Sequence, residues 1–586
     1  MKSPLSLRYK AFMHVTHNSS CIPKLLRQLS LLFIALITAT NAYAYSFEAD
    51  GIYYRIVSSP ANSVVVTFQT AYKISYNSYG HKSDYTGDIV IPQTVEYEGT
   101  TYTVCGIDDY AFMNSDAGLN SVVMPNTVTY IGSNAFLNDY NLTYIKLSSN
   151  LESIGLYGLS TIGVSSIDIP ASLKTVQDCA FQGCQNLQEV HISDIAAWCD
   201  IDFKAYQANP LTCAKQLFIN DEPATEVVIP EGVKTVKAYA FAGCENMEKL
   251  TIASSVTKCE MYAFSGCKAL KDLRIEDSPE RLDLEFSNRG IGSSVHLYHA
   301  FDDCPLEKIY IGRDCYFNTS PNRQGFTNFK QLKQVETGSN LTQLTTGYFK
   351  GCSALEQITV GNSVSIIGSE CFQGCSSLTS ISIGSNVSSI AQNAFGDCTA
   401  LTELIMEDGE QELTLDAGSG SKGMFKDCPI EKVYCGRTLS YQTKAANGYS
   451  PFYNNTNIKD FRFGNTVTRI GDYLLAGCTG ITDIRLPEGI TKIGQQAFLD
   501  ITGLDTLYIP RSVTSIDRTA FNGSVAKTLV LADDPQPLNF AMSFLSLEKA
   551  HIGRSIITNN SVMSLGATLK EATVGPDVEL LPSYIF

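Results

Sequence analysis

Cysteine is the side chain in this sequence whose number and spacing first suggest chemistry. There are 18 in 586 residues, and all but Cys21 follow position 100. Cys352, Cys375 and Cys398 stand 23 residues apart, and Cys184, Cys244, Cys267, Cys304, Cys428 and Cys478 occupy the same place in a recurring A-F-x-G-C. Metal ligation would need histidines or further thiols at ligand spacing. Cys371 with Cys375 and Cys179 with Cys184 are the nearest pairs, and no histidine stands beside either. A slot shared by every repeat is a packing position, so we expect buried free thiols acting as small hydrophobes. Disulfides between stacked repeats are the alternative, and parallel inward side chains meet their geometry poorly.

Other chemistry is equally poorly provided for. The histidines beyond the first 44 residues are His81, His191, His296, His299 and His551, and none sits in an H-x-x-x-H or H-E-x-x-H pattern. The acidic pairs Glu276-Asp277, Glu407-Asp408 and Asp533-Asp534 fall in turns, with nothing to oppose them across a cleft as acid–base work requires. There is no glycine-rich phosphate cradle and no serine nucleophile elbow. The expectation is a protein that is not an enzyme, with no catalytic residues, no metal and no cofactor.

The elements that must position these residues follow from the same 23-residue interval, which also separates Leu355, Leu378 and Leu401, then Phe349, Phe372 and Phe395. The consensus is L-x-x-I-x-I-x-x-x-V-x-x-I-x-x-x-A-F-x-G-C. In Leu378–Ile383 the apolar residues alternate with serines, which predicts a short strand with one face inward. Val387 to Ile390 predicts a second short strand, and the segment ending in Ala394-Phe395 a single helical turn. One such unit cannot bury its own Leu, Ile and Phe. Stacked at about 4.8 Å per unit it can, so the fold class expected is an α/β repeat solenoid, strand-rich, with a parallel sheet. About nineteen coils, about 90 Å in all, would account for the length.

Residues 1–44 carry Lys2, Arg8, Lys10, Lys24 and Arg27, no acidic residue, an apolar run from Leu31 to Ile37 and a small-residue site at Ala42-Tyr43-Ala44. This reads as a signal peptide. Its removal takes the net charge from −16 to −21, which argues against nucleic acid as a partner, and no later run is long enough to span a membrane. Residues 45–103 lack the repeat register and are expected to form an N-terminal β cap; 104–586 form the solenoid, with insertions near 195–216, 314–326 and 438–452. Trp198 in the first insertion is expected to plug a widened core. A larger duplication links Cys304–Arg313, Cys428–Arg437 and Leu547–Arg554, each preceded by one of the acidic turns. After the first two Gly-Arg pairs, a polar loop stands where the second strand is expected. Leu569 to Phe586 aligns with Leu332 to Phe349, so a C-terminal cap is expected to be missing.

The pattern L-x-x-I-x-I-P/G, V-x-x-I-G and A-F-x-G-C, in Asn141–Ile154, Met247–Cys267, Leu355–Cys398 and Ile481–Phe521, resembles the BspA-like leucine-rich repeat family. The opening from Phe47 to Tyr54, and the insertion from Ala197-Trp198-Cys199 to Asn209-Pro210-Leu211, are similar to secreted Bacteroidales members. The resemblance implies a secreted or cell-surface protein on the bacterial outer surface; some members are adhesins for host matrix proteins or other bacteria.

Any partner must touch the outward side chains or the insertions. Arg462, Arg485 and Tyr508, at 23-residue steps, are expected to share one outward column, with Asp460, Asp483 and Thr506 in the next. Asp–Arg pairing along it would make a solvated ladder worth little; Arg beside Tyr at about 5 Å steps would make a hot-spot strip. Tyr310 and Tyr434, just before two insertions, mark a second candidate surface. The function expected is non-catalytic binding of an extracellular protein, as in adhesion to host or neighbouring cells. The alternatives are glycan binding through the tyrosine-rich loops and end-to-end self-association of a structural subunit.

Overall fold

The computed structural model describes residues 45–69, 83–115, 118–287, 298–317, 325–416, 424–425, 428–443, 450–540, 547–558, 564–583 and 585–586. The chain divides into two compact units, one holding residues up to His191 with Phe203–Ala214, the other Ile192–Asp202 with Lys215–Phe586. Both are strand-rich parallel β solenoids of coils of about 23 residues, with almost no helix.

In the first unit, Phe47–Ala49, Ile52–Val57 and Ser63–Thr67 form an antiparallel meander. Ser63–Thr67 then pairs in parallel with Thr100–Ile107, which hands the sheet on to the two-residue strands Tyr130–Ile131, Ser153–Ile154 and Thr175–Val176. On the other side of each coil, Gly87–Val90, Leu119–Val123 and Tyr144–Lys146 run in parallel. Coil geometry is therefore present at Gly87–Val90, ahead of the first consensus repeat, because backbone pairing needs only an extended segment in register and not the consensus side chains.

The second unit carries a ten-stranded parallel sheet, from Glu226–Ile229 to Asp460–Thr466, and a four-stranded one from Leu504–Ile509 to Glu571–Val574. In most of these strands inward apolar residues alternate with more exposed ones, as in Ser380–Ile383, where Ile381 and Ile383 are buried. The second strands form three shorter parallel sheets on another side of the coil. Stacking is continuous inside: Phe349, Phe372 and Phe395 lie with ring centroids 5.8 and 5.4 Å apart and planes within 14°. These distances approach the strand spacing, so every ring covers the next, and each such pair adds about 0.5–1.5 kcal/mol to the burial of the ring itself.

The expected helical turn before each core Phe is a turn of another kind. Tyr239, Tyr262, Glu370, Asn393, Tyr473 and Gln496 each precede Ala-Phe or its equivalent with φ between 49° and 64°. A left-handed residue there ends any helix, and the freed amides bond across coils instead, as Phe372 N does to Ala394 O at 2.7 Å.

The seventeen described cysteines are all free thiols, and sixteen are buried. They do more than fill space. In eight of the nine common slots the thiol donates to the backbone carbonyl of the core residue one coil earlier, at 3.1–3.3 Å: Cys375 to Phe349, Cys398 to Phe372, and likewise at 184, 267, 304, 352, 428 and 478. Cys244 bonds Asn246 Oδ1 instead, and Ser524 makes the same bond as the cysteines, to Phe498 O. A small buried donor is what the slot requires.

The segment 195–214 holds the only α-helices described, Ile195–Cys199 and Leu211–Ala214. Asp194 caps the first by accepting from Ala197 N at 3.0 Å. Trp198 is 1 % exposed, and its indole N–H donates to Ala240 O at 2.9 Å, so it does fill the core of its coil.

Candidate binding face

The outward positions of the ten-stranded sheet align by hydrogen-bonded register. One column runs Arg274, Tyr310, Glu336, Thr359, Ser382, Ile405, Tyr434, Arg462. Tyr310, Tyr434 and Arg462, expected on two surfaces, therefore share one. Arg485 and Tyr508 are neighbours through the bridge Ile484↔Leu507, and Tyr508 leads on to Val530, His551 and Thr573. Among the described residues no strand pairing carries Arg462 on to Arg485, because the long ladder ends at Asp460–Thr466. The backbone ladder through Arg462, Arg485 and Tyr508 is thus interrupted between the first two, while the second strands of the same two coils keep the 23-residue step through Arg469↔Lys492.

Both tyrosines of the long column are tied down. Tyr310 donates to Asp277 Oδ2 at 2.6 Å, and the Arg274 guanidinium lies 4.0 Å from its ring centroid while bonding Glu276 at 2.7 Å. Tyr434 donates to both oxygens of Asp408 at 2.9 Å. The bond to Asp277 raises the Tyr310 phenol above its ordinary range; burial, then Asp408, does the same for Tyr434. Burial would raise the Asp277 carboxyl, but hydrogen bonds from Tyr310 and Ser339 outweigh it and hold it low. In the third copy His551 takes the tyrosine's place, with Nε2 3.0 Å from Asp533 Oδ1 and Nδ1 2.8 Å from Thr573 Oγ1. Asp277, Asp408 and Asp533 of the acidic turns are therefore clasps for the residue opposite.

Arg462 pairs with Asp460 at 2.9 Å and Arg485 with Asp483 at 3.1 Å, all four side chains well exposed. These are the solvated pairs expected, and exposed pairs of this kind contribute little to stability. Tyr508 is 39 % exposed, its hydroxyl 3.4 Å from Glu488 Oε1.

Sequence reasoning missed the fate of the Gly-Arg pairs. Arg313, Arg437 and Arg554 are at most 1 % exposed. Each spreads its guanidinium over turn carbonyls of earlier coils: Arg313 on Ala253 and Ser254, Arg437 on Gly384, Ser385 and Val387, Arg554 on Pro510, Arg511 and Val513. Alternation was the available signal, since Ile309, Ile311 and Arg313 are two apart and all inward. The segments after the first two are also not pure loops. Cys315–Phe317 and Leu439–Tyr441 supply the second strand, paired with Leu282–Leu284 and Leu413–Leu415, with Cys315, Phe317 and Leu439 buried. Residues 318–324 and 444–449, the centres of those expected loops, lie outside the described residues, as do His81 and His296.

Among the described residues no group of three or more His, Cys, Asp or Glu could hold a metal ion, and no helix is long and apolar enough to cross a membrane.

A family model described as BspA type leucine rich repeat region (six copies) matches four stretches, residues 106–206, 212–288, 297–423 and 421–528. No curated protein matches the chain. Among solved structures, a leucine-rich repeat protein from Bacteroides ovatus is 20% identical over 85% of this chain and 100% of its own, with a TM-score of 0.29. A leucine rich cell surface protein from Faecalibacterium prausnitzii is 19% identical over 81% and 92%, TM-score 0.22. The pneumococcal vaccine antigen PcpA is 15% identical over 72% and 93%, TM-score 0.30.

Proposed function

The chain belongs to the BspA-type leucine-rich repeat family, and from that premise we propose that it is a non-catalytic protein-binding solenoid that acts outside the cell or on its surface, adhering to extracellular proteins of a host or a neighbouring cell. Residues 1–44 act as the signal peptide, 45–103 as the cap of the open end and 104–586 as the binding solenoid. The partner lies along the outward column, with Tyr310, Tyr434 and Arg462 as anchors of the long run and Arg485 and Tyr508 of the short one.

The observation that carries this reading is the pair of clasped tyrosines in one register. An aromatic ring already held by a carboxylate, as Tyr434 is by Asp408, loses little conformational freedom when a partner covers it. Arg462, exposed and paired with Asp460, adds a charged contact at the next coil.

The test is binding of the full chain to immobilised extracellular-matrix proteins, alongside alanine variants at 310, 434, 462, 485 and 508. Tyr434→Ala or Arg462→Ala should weaken capture of at least one matrix protein by about tenfold or more. Equal capture by all five variants and the unaltered chain would remove this face from consideration.

A further inference from the structure

On the side of the coils formed by second strands, the ladder breaks. One sheet ends at Leu439–Tyr441 and the next begins at Arg469–Ile470. At the break the Tyr441 hydroxyl turns to donate to Asp472 O at 3.0 Å, and a cavity of about 230 Å³ opens beside it. Two glycines keep it open. A Cβ at Gly471 would strike the Tyr441 hydroxyl, and one at Gly494 would strike the Asp472 carboxylate.

The groups facing this cavity are unusual for the fold. Lysine at the corresponding place in another coil, Lys258, is held by Glu260 at 3.5 Å and by Glu285 at 2.8 Å. Lys492 has Gly494 where Lys258 has Glu260, and it takes part in none of the ion pairs among the described residues. Arg469 on the same wall is committed to Glu412 at 2.7 Å. Asp472, in the same lining, accepts from Gln495 N at 2.8 Å through Oδ1. Ser440 and Thr443 belong to the same lining. One small space is thus lined by a lysine outside the ion pairs of the described residues, an aspartate and two hydroxyl-bearing residues.

Each ligand class meets this set differently. A cation is opposed by Lys492 and Arg469, and a doubly charged inorganic phosphate is opposed by Asp472 more strongly than a single carboxylate is. A drug-sized apolar ligand needs a larger and more apolar pocket, of roughly 300 Å³ upward. A molecule with one carboxylate and several hydroxyls satisfies all four groups at once. We propose that the cleft between Leu439–Tyr441 and Arg469–Ile470 is a binding site for one carboxylate-bearing sugar unit, with Lys492 on the sugar carboxylate and Asp472, Ser440 and Thr443 on its hydroxyls. This site is on a different face from the Tyr310–Tyr434–Arg462 column and does not rest on that reading.

The experiment is titration calorimetry of the full chain with glucuronic acid and N-acetylneuraminic acid, with glucose and inorganic phosphate as competing explanations. An array carrying the same acidic sugars as terminal units of glycans separates a free monosaccharide from a glycan end. At least one acidic sugar should bind saturably and about tenfold or more tighter than glucose. Lys492→Gln should abolish that preference and Lys492→Arg restore it, while Lys258→Gln leaves it unchanged. Lys492 is exposed and Lys258 half-buried, and folding of these variants is checked by an unaltered circular dichroism spectrum. Equal binding of glucose, tighter binding of phosphate, no saturable binding at millimolar sugar, or indifference to Lys492→Gln would each overturn the assignment.

Discussion

Replacing Arg437 by methionine tests whether the buried guanidinium is a structural clamp. Its Nη1 donates to Ser385 O and Val387 O at 2.5 and 2.8 Å and its Nη2 to Gly384 O at 2.7 Å, while the side chain is wholly buried. Gly384 O also accepts from Val387 N at 3.1 Å, so it keeps a partner in the variant. Ser385 O and Val387 O do not, and each orphaned carbonyl costs about 1–3 kcal/mol. Against this, methionine removes a charge that burial alone pushes toward deprotonation, and whose Nε has no partner among the described residues; relief of desolvation returns part of the loss. The net expectation is a destabilisation of about 2–4 kcal/mol. Arg437→Lys should be worse, because it keeps the desolvated charge yet cannot span three carbonyls. In a solenoid the damage stays near the altered coil. Hydrogen exchange followed by mass spectrometry should therefore show peptides spanning 384–390 exchanging about 30- to 1000-fold faster, with the coil around Cys352 unaffected. Unchanged protection, or a methionine variant better protected than the natural chain, would mean that the cost of burying the charge outweighs its bonds and that the clamp argument is wrong.

Two further outcomes follow from the core. Burial pushes the Cys244, Cys315, Cys352, Cys435 and Cys478 thiols up to about 12 from the ordinary value of 9.0. Their contribution to stability is complete below about pH 9 and is lost as pH rises toward about 12, at roughly 1.4 kcal/mol per thiol per pH unit as the unfolded chain releases its protons. Circular dichroism in reducing buffer should show the β signal collapsing as pH passes about 10; a signal unchanged to the folded thiol range would contradict a buried, protonated ladder. Trp198→Phe deletes the bond to Ala240 O and leaves a void, which should cost about 2–3 kcal/mol in denaturant unfolding monitored at the affected coil; no loss would show that the core there readily closes.

The fold was legible because its causes are local and repeated. A strand of alternating residues, a Phe and a small donor at a 23-residue period leave stacking as the one way to bury them, and Phe349, Phe372 and Phe395 stack as that period requires. The left-handed residue before each Phe was not legible, since Tyr239 or Glu370 has no sequence preference for positive φ and is held there by bonds from the next coil. The thiol's role was half visible: burial followed from the shared slot, but the carbonyl each thiol meets belongs to another coil.

The sequence by itself determined the coil, its period and which side chains point inward, because these depend on alternation within a few residues and on the spacing of stacked strands. Only the tertiary structure decided which distant outward residues are neighbours. Tyr310, Tyr434 and Arg462 come into one register through successive backbone pairings, across insertions whose lengths hide the count. Likewise the break that opens the cavity beside Lys492 lies between two sheets, where no periodicity reaches. Hydrogen-bonded register, unlike the repeat, is a property of the stacked chain, and it is where this protein's candidate surfaces are made.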